Sequence, residues 1–253
     1  MEVHHPHHPT HKKKWSEYLL EFFMLFFAVT LGFFAENVRE HQVVIERKNQ
    51  NLEAMLEDLK RDSIQLDQRV VEYSYVLETL ENMKYASYQY QKKEINESTY
   101  LKIIANKSDS LTAGICFFLN NSAYKNTIST GSLSVIESKE IKRLIAEYYE
   151  ELGVKLIDNN RNVDVDINEF MEKTIKASYG FSSEYRTKVS KLSHEQLIED
   201  YKTIPAYRQS VLDPAFRIYI HKFENRCDYY LYVMRRFQEV NQKLIKELEN
   251  KNY

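Results

Sequence analysis

The fold of this chain is decided near its N-terminus, by residues 15–35, which read WSEYLLEFFMLFFAVTLGFFA. At a rise of about 1.5 Å per residue, a helix of this length crosses the roughly 30 Å of hydrocarbon in a bilayer. The stretch opens on Trp15, a residue type enriched at membrane interfaces, and ends before Glu36. We therefore predict one N-terminal transmembrane helix, with the lipid bilayer as its partner.

Removal of this stretch as a signal peptide is the competing interpretation. The small-residue cleavage pattern is missing, because Phe34 is followed by Ala-Glu-Asn-Val-Arg, and we expect an uncleaved signal anchor. Lysines at residues 12–14 precede the span, while Arg39, Arg47 and Lys48 follow it. The compact lysine cluster favours a cytoplasmic N-terminus, which would place the main domain outside the cell membrane.

Two features inside the span concern assembly and charge. Ala28, Gly32 and Ala35 fall on one helix face, a small-residue pattern that lets membrane helices approach closely. They form a candidate homo-oligomer face, although lone anchors also contain such residues. Glu21 fits either a functional acidic group within the membrane or an interfacial turn before a span that starts at Phe22.

Beyond the span, the helical pattern continues from Glu36 to about Lys93, and residues 33–113 contain no glycine or proline. Apolar residues recur there every three or four positions, with an interruption near Asp62 and Ser63. We call this set the first seam: Leu52, Met55, Leu59, Leu66, Val70, Tyr73, Leu77 and Leu80.

A second long helix is predicted to open at Asp213-Pro214, where the aspartate can cap the helix and proline suits its first position. Its apolar positions are broken only at Asn241. We call this set the second seam: Ile220, Phe223, Cys227, Tyr230, Met234, Phe237, Leu244 and Leu248. Two such helices cannot both leave an apolar face in water, so we expect them to pack antiparallel against each other or against neighbouring helices.

The predicted fold class is all-α: one transmembrane helix continues into a long stalk helix, followed by an antiparallel helical bundle. Shorter helices are expected after Ser98, from Ser122 to Ser129 with a left-handed glycine cap at Gly131, after Ser138, and after His194. We divide the chain into a His/Lys-rich tail (1–14), the anchor (15–35) and one helical domain (36–253).

One segment carries a family resemblance: residues 123–149, AYKNTISTGSLSVIESKEIKRLIAEYY. It resembles a segment of uncharacterised single-pass bacterial membrane proteins, in which a short anchor precedes a helical domain with a similar Thr-Gly-x-Leu-x-x-Ile turn. The resemblance implies no activity. The residues themselves indicate that Thr130-Gly131 turns the chain and that Leu133 and Ile136 enter the core.

Two groups of residues could bind metal ions. The tail contains the imidazoles of His4, His5, His7, His8 and His11, which can hold zinc, nickel or copper loosely, unless the tail is only a solvated leader. A twelve-residue calcium-loop template is matched by Asp158, Asn160, Asn162, Asp164, Asp166 and Glu169. Its sixth position is Val163 instead of glycine, which favours a polar helix surface or a connection between helices.

Composition and motifs exclude several functions. With a net charge of −2, no overall field favours nucleic acid as a partner. Phosphate loops, nucleophile elbows and zinc-protease helices are missing from the sequence, so we expect neither an enzyme nor a cofactor. Cys116 and Cys227 fit either a disulfide or buried free thiols. We expect a membrane-anchored scaffold or accessory subunit with protein partners; the alternative is a ligand-binding sensor that relays through a partner.

Overall fold

The computed structural model describes residues 14–109, 111, 116–174 and 191–250. Its elements are, in chain order, α1 (Trp15–Gln91), α2 (Glu97–Asp109), α3 (Ser122–Ser129), a 3₁₀ turn (Ser132–Val135), α4 (Lys139–Ile145), a π-helical segment (Ala146–Leu152), α5 (Gly153–Lys173), α6 (His194–Thr203), α7 (Pro205–Leu212) and α8 (Phe216–Glu249). The described residues contain no β-strand. The predicted all-α fold is confirmed.

Helix α1 has 77 residues and is therefore about 115 Å long. Every residue of its outer segment, residues 15–50, is exposed or only partly covered. Its core segment, residues 51–91, has one buried face that includes most of the first seam. Among the described helices, α1 is the one long and apolar enough to cross a membrane, judged by length and composition.

Helix α8 packs antiparallel along the core segment of α1. Lys60 pairs with Glu249 at 2.7 Å near one end, and Gln91 accepts a hydrogen bond from Arg217 near the other. Between them, the rings of Tyr73 and Tyr230 lie 4.5 Å apart. All residues of the second seam are buried, whereas Val70 and Leu77 of the first seam are only partly buried. The two seams thus cover each other, as their spacing predicts.

Several helix ends differ from the prediction in detail. Ser138 caps α4 by accepting a hydrogen bond from the Ile141 amide, and Gly131 ends α3 with a left-handed φ of 71°; both predictions are confirmed. Helix α8, however, begins at Phe216, because Asp213 instead closes a short turn by accepting a hydrogen bond from the Ala215 amide. Helix α2 is capped by Asn96, two residues before the predicted Ser98.

Helices α4 and α5 and the π-helical segment between them form one continuous helical stretch across Gly153. A side chain at Gly153 would place its Cβ 3.3 Å from the Leu119 side chain. The glycine therefore lets Leu119 pack closely against the helix. The wider π-helical turn lets the adjacent residues Tyr148 and Tyr149 both point into the core, where each is at least nine-tenths buried.

Candidate functional site

The residues predicted as functional sites lie in different parts of the chain, and some of them are outside the described residues. The five tail histidines lie outside the described residues. Ala28, Gly32 and Ala35 lie on the exposed outer segment of α1, and a Cβ added at Gly32 would meet nothing within 4 Å. Their role as an oligomer face stays a prediction.

The calcium-loop residues lie inside helix α5 and not in a loop. Val163, at the position where a calcium loop needs glycine, is fully buried in the core. Several of the oxygen-bearing side chains have other partners: Asn160 donates to the Phe117 carbonyl at 2.8 Å, and Asp166 pairs with Arg226 at 2.7 Å. The loop on which the hypothesis depends is therefore replaced by a helix, and calcium binding by these residues stays an untested prediction without that geometry.

Among the residues that the structure describes, no group of three or more His, Cys, Asp or Glu could hold a metal ion. A buried polar site is formed instead where polar residues interrupt the apolar patterns of both seams. We call it the Asp62 cluster; it consists of Asp58, Asp62, Asn120, Tyr148 and Asn241.

At the centre of this cluster, the Asp62 carboxylate accepts three hydrogen bonds. They come from the Asn120 amide N–H at 3.1 Å, the Asn120 side-chain nitrogen at 2.6 Å and the Tyr148 hydroxyl at 2.9 Å. Asn241 donates to the Tyr148 hydroxyl at 3.2 Å and to the Leu59 carbonyl at 3.0 Å. The two breaks in the apolar pattern therefore share one buried network.

Asp58 lies one helical turn before Asp62 and serves the start of α3. Its carboxylate accepts a hydrogen bond from the Ala123 backbone N–H at 3.1 Å. Helix N-termini leave N–H groups without intrahelical partners and favour negative charge, so α1 supplies the cap that α3 lacks in its own sequence. Asp58 and Asp62 together fix α3 and the segment before it against α1.

Burial dominates the electrostatics of Asp62. It raises the pKa of this carboxyl from its ordinary value of 3.8 to about 6, although the hydrogen bonds from Asn120 and Tyr148 act in the opposite direction. Burial also raises the pKa of the Tyr148 hydroxyl well above its ordinary value. Because Asp62 is fully buried, its carboxylate offers no surface to a substrate.

A second polar contact fixes the Thr130-Gly131 turn to α1. The Asn51 side chain donates to the hydroxyls of Thr130 at 3.1 Å and Ser132 at 3.0 Å, and accepts from the Asn126 side chain at 2.6 Å. Sequence reasoning missed Asn51. Its position directly before the first seam residue, Leu52, was the available signal.

The turn itself has the predicted structural role in part. Ile136 is buried, at 4% exposure, whereas Leu133 is partly buried and packs against the core. The most family-like segment of the sequence is therefore a structural junction between α3 and α4.

The most exposed apolar side chains on the side of the bundle where α5 lies form a surface that we call the Phe118 patch. It comprises Phe118, Val154 and Ile157, which are 69%, 62% and 70% exposed. They border a groove of about 370 Å³ that also includes Leu119, Tyr149 and Gly153. Exposed contiguous apolar side chains of this kind mark interaction surfaces more often than a lone exposed residue does.

The backbone around Phe117 explains why Phe118 faces outward. The Phe117 N–H donates to the Tyr230 hydroxyl at 2.7 Å, and its carbonyl accepts from Asn160 at 2.8 Å. Phe117 is fully buried against Phe237, with ring centroids 5.5 Å apart. These contacts hold Phe117 inward, and the adjacent Phe118 is left 69% exposed.

Cys116 and Cys227 are both free and buried, which decides between the two alternatives for the thiols. Burial raises the pKa of the Cys116 thiol to about 12 and that of Cys227 higher still. Thiols with such pKa values carry almost no thiolate at neutral pH and react slowly.

Comparison with known proteins places the chain in an uncharacterised family, as the resemblance of residues 123–149 predicted. No curated protein has a significant match to the chain. No solved structure has one either. A family model matches residues 21–213, which include residues 21–35 of the apolar stretch, the core segment of α1 and the Asp62 cluster apart from Asn241. The chain belongs to this family, DUF6090, a family of unknown function.

Proposed function

We propose that this protein is a single-pass membrane protein that acts by contact, as a scaffold or accessory subunit. The observation that carries the proposal is the Phe118 patch, an exposed apolar surface on a bundle that shares the helix α1 with an exposed apolar segment. Residues 15–35 act as an uncleaved signal anchor, the N-terminus is cytoplasmic and the bundle lies outside. In this respect the protein would share the single-pass arrangement of the bacterial proteins that its turn resembles.

The surface of the outer segment supports the anchor. Large apolar side chains point outward on all sides of α1 there, including Leu25 at 69% and Phe33 at 70% exposure. A helix that is apolar all round is stable inside a membrane or a large protein core. The described part of the bundle leaves this segment uncovered, so lipid is the surrounding that suits it.

The continuity of α1 sets the height of the patch. Asn120 is bonded to Asp62, and Asn160 contacts Tyr230, which packs on Tyr73. The patch therefore lies level with residues 62–73 of α1, about 40–55 Å beyond Glu36 at 1.5 Å per residue. A contact surface held at this height suits a partner whose own domain stands well away from the bilayer.

Orientation is tested by one new cysteine, Asn250→Cys, at the exposed end of α8. A membrane-impermeant maleimide should label it in intact cells, because the bundle lies outside. Wild-type protein is the control, since its two cysteines are buried and should label slowly. Labelling that appears only after lysis would reverse the orientation.

The contact role is tested by a photo-crosslinking amino acid at position 157, with position 64 as the matched control. Ile157 and Ile64 are both exposed isoleucines on helices, at 70% and 62%, but only Ile157 belongs to the patch. We expect a discrete product with another protein from position 157 in living cells and none from position 64. Equal products from both positions, or none from position 157, would contradict the proposal.

The groove beside the patch favours the second candidate, a sensor for a small ligand. Its volume of about 370 Å³ is within the usual range for ligand sites, and its walls are largely apolar. Native mass spectrometry of the gently purified protein should then show a bound small molecule, lost in a Gly153→Leu variant that narrows the groove. If neither protein carries a bound small molecule, the sensor function is contradicted and only the scaffold proposal remains.

A further inference from the structure

We propose that Asn96, at the end of the bundle remote from the span, is an acceptor site for an N-linked saccharide. Asn96-Glu97-Ser98 matches the acceptor pattern, an asparagine followed two residues later by serine or threonine with no proline between them. The proposal rests on the orientation proposed above, because acceptor sites of this kind belong to protein segments that have left the cytoplasm.

The acceptor pattern occurs three times in the chain, at Asn96, Asn106 and Asn120. Of the three, Asn96 is the one that is both exposed and outside a helix, in the loop between α1 and α2. Acceptor asparagines are expected in surface loops. Asn96 is also the one of the three with an acidic residue, Glu94, two positions earlier, a charge that a cationic acceptor groove can select.

The other two asparagines already use their side chains in the fold. Asn120 donates from its side-chain nitrogen to Asp62 at 2.6 Å, so a saccharide on that nitrogen would break the Asp62 cluster. Asn106 lies within α2, and its side-chain oxygen is bonded to Nε2 of His194, the first residue of α6, at 2.9 Å. A saccharide on Asn106 would therefore lie against α6. The fold thus favours Asn96 among the three positions.

The Asn96 side chain can carry a saccharide without losing its structural role. Its oxygen Oδ1 accepts a hydrogen bond from the Thr99 backbone N–H at 2.8 Å and caps α2. Its nitrogen Nδ2, the atom to which the saccharide is attached, has no hydrogen-bond partner among the described residues. Modification of Nδ2 therefore leaves the helix cap intact.

The reaction is a group transfer from a saccharide that is linked to a lipid through pyrophosphate, catalysed by a membrane-bound transferase. Nδ2 of Asn96 forms a bond to the anomeric carbon of the sugar, while the bond from that carbon to the pyrophosphate oxygen breaks. The lipid pyrophosphate leaves with the electron pair, and one Nδ2 proton passes to a base of the enzyme. The exposed hydroxyl of Ser98 is the group by which the enzyme recognises the acceptor.

The length of α1 determines when this transfer happens. Gln91 lies about 80 Å beyond Glu36 at 1.5 Å per residue, so Asn96 in the folded bundle is out of reach of an enzyme embedded in the bilayer. The saccharide is therefore added to the exported chain before α2 packs. In the folded protein it covers the far end of the bundle and leaves open the Phe118 patch, which lies nearer to the membrane.

Mass spectrometry tests the site on the full chain, purified from the membranes of the cells that naturally make it. The wild type should exceed the mass of its polypeptide by one saccharide, and peptide mapping should place that saccharide on Asn96. Asn96→Gln and Ser98→Ala should each abolish the modification. Ser98→Thr keeps a hydroxyl at the recognised position and should retain it. Asn106→Gln is the matched control and should carry the same saccharide as the wild type.

Three results would overturn the proposal: an unmodified wild type, a saccharide on Asn106 or Asn120, or an unchanged saccharide in Ser98→Ala. The Asn250→Cys labelling described above separates this proposal from the proposed function. An unmodified protein that is labelled in intact cells has the proposed orientation and lacks only the saccharide. An unmodified protein that is labelled only after lysis has the reverse orientation, and both proposals then fail.

Discussion

The outer and core segments of α1 are one helix with two kinds of surrounding. Phe27 on the outer segment is 56% exposed, whereas Leu59 and Leu66 on the core segment are fully buried. Helix continuity does not depend on this difference, because residues 33–113 contain no glycine or proline to interrupt it. The comparison teaches that the role of an apolar residue on α1 depends on what covers it: the bundle covers the core segment, whereas the described residues leave the outer segment exposed.

The largest expected difference is between a phenylalanine of the bundle core and one of the outer segment of α1. It is measured as the free energy of unfolding that is lost when the residue is replaced by alanine. Phe237→Ala empties a fully buried site on α8 beside Phe117 and Tyr148 and should lower the free energy of unfolding by about 3–5 kcal/mol. Phe27→Ala is the matched control and should leave the unfolding of the bundle unchanged. Urea unfolding in detergent, followed by circular dichroism, measures both. A similar loss in both variants would break the comparison.

The next effect concerns the polar part of the core segment. Asp62→Ala removes the acceptor of the Asn120 N–H and the Tyr148 hydroxyl and should destabilise the bundle by about 2–4 kcal/mol. Asp62→Asn is the control, because an amide of the same size can accept from Asn120 and donate to Tyr148. At pH 4, where the folded wild type carries Asp62 in its neutral form, this variant should unfold at a urea concentration close to that of the wild type. If Asp62→Ala is as stable as Asp62→Asn, the network does not hold α3 in place.

Asp62 should also make the bundle sensitive to pH. Its pKa is raised in the folded state from 3.8 to about 6, so its contribution favours folding most below pH 4 and is lost as pH rises through 6. The Asp62→Asn variant should therefore gain stability relative to the wild type between pH 4 and pH 8, by up to about 3 kcal/mol. Unfolding curves of the two proteins at several pH values measure this difference. A constant difference would show that Asp62 titrates normally.

The smallest expected effect comes from replacing a glycine with alanine, and Gly131 and Gly32 form a matched pair for this test. Gly131 has a φ of 71° and open space around it, so Gly131→Ala should cost about 1–2 kcal/mol through backbone strain alone. Gly32 lies in the outer segment with open space and ordinary helical geometry, and Gly32→Ala should not change the unfolding of the bundle. Thermal melts of both variants provide the test. An unchanged melt for Gly131→Ala would show that the turn tolerates another conformation.

Periodicity explains what could be predicted from the sequence. Both seams and the antiparallel pairing follow from apolar residues at helical spacing, as Leu59 and Phe237 illustrate. The interruptions at Asp62 and Asn241 are visible in the sequence, but their meeting is not. It depends on the register between α1 and α8 and on a π-helical turn that brings in Tyr148, and no local pattern encodes either.

In the calcium-loop hypothesis, a local sequence pattern suggested a loop that the fold does not form. Oxygen-bearing residues at alternate positions matched a loop template, yet a helical pattern is present in the same segment. Residues at spacings of three and four are all buried there: Leu156, Asn159, Val163, Asp166 and Phe170. The Phe118 patch was beyond prediction, because Phe117 and Phe118 are equally apolar in sequence and only tertiary hydrogen bonds decide which one is buried.

The central claim is that α1 crosses a bilayer with its outer segment and frames a folded bundle with its core segment. A spin-label scan along α1 in lipid nanodiscs, read by accessibility to oxygen and to a water-soluble nickel complex, tests it most directly. We predict oxygen-accessible labels on every face through residues 22–35, nickel-accessible labels within residues 36–50, and a 3.6-residue alternation of both signals from residue 51 onward. Nickel access throughout residues 22–35, or loss of the alternation in the core segment, would contradict it.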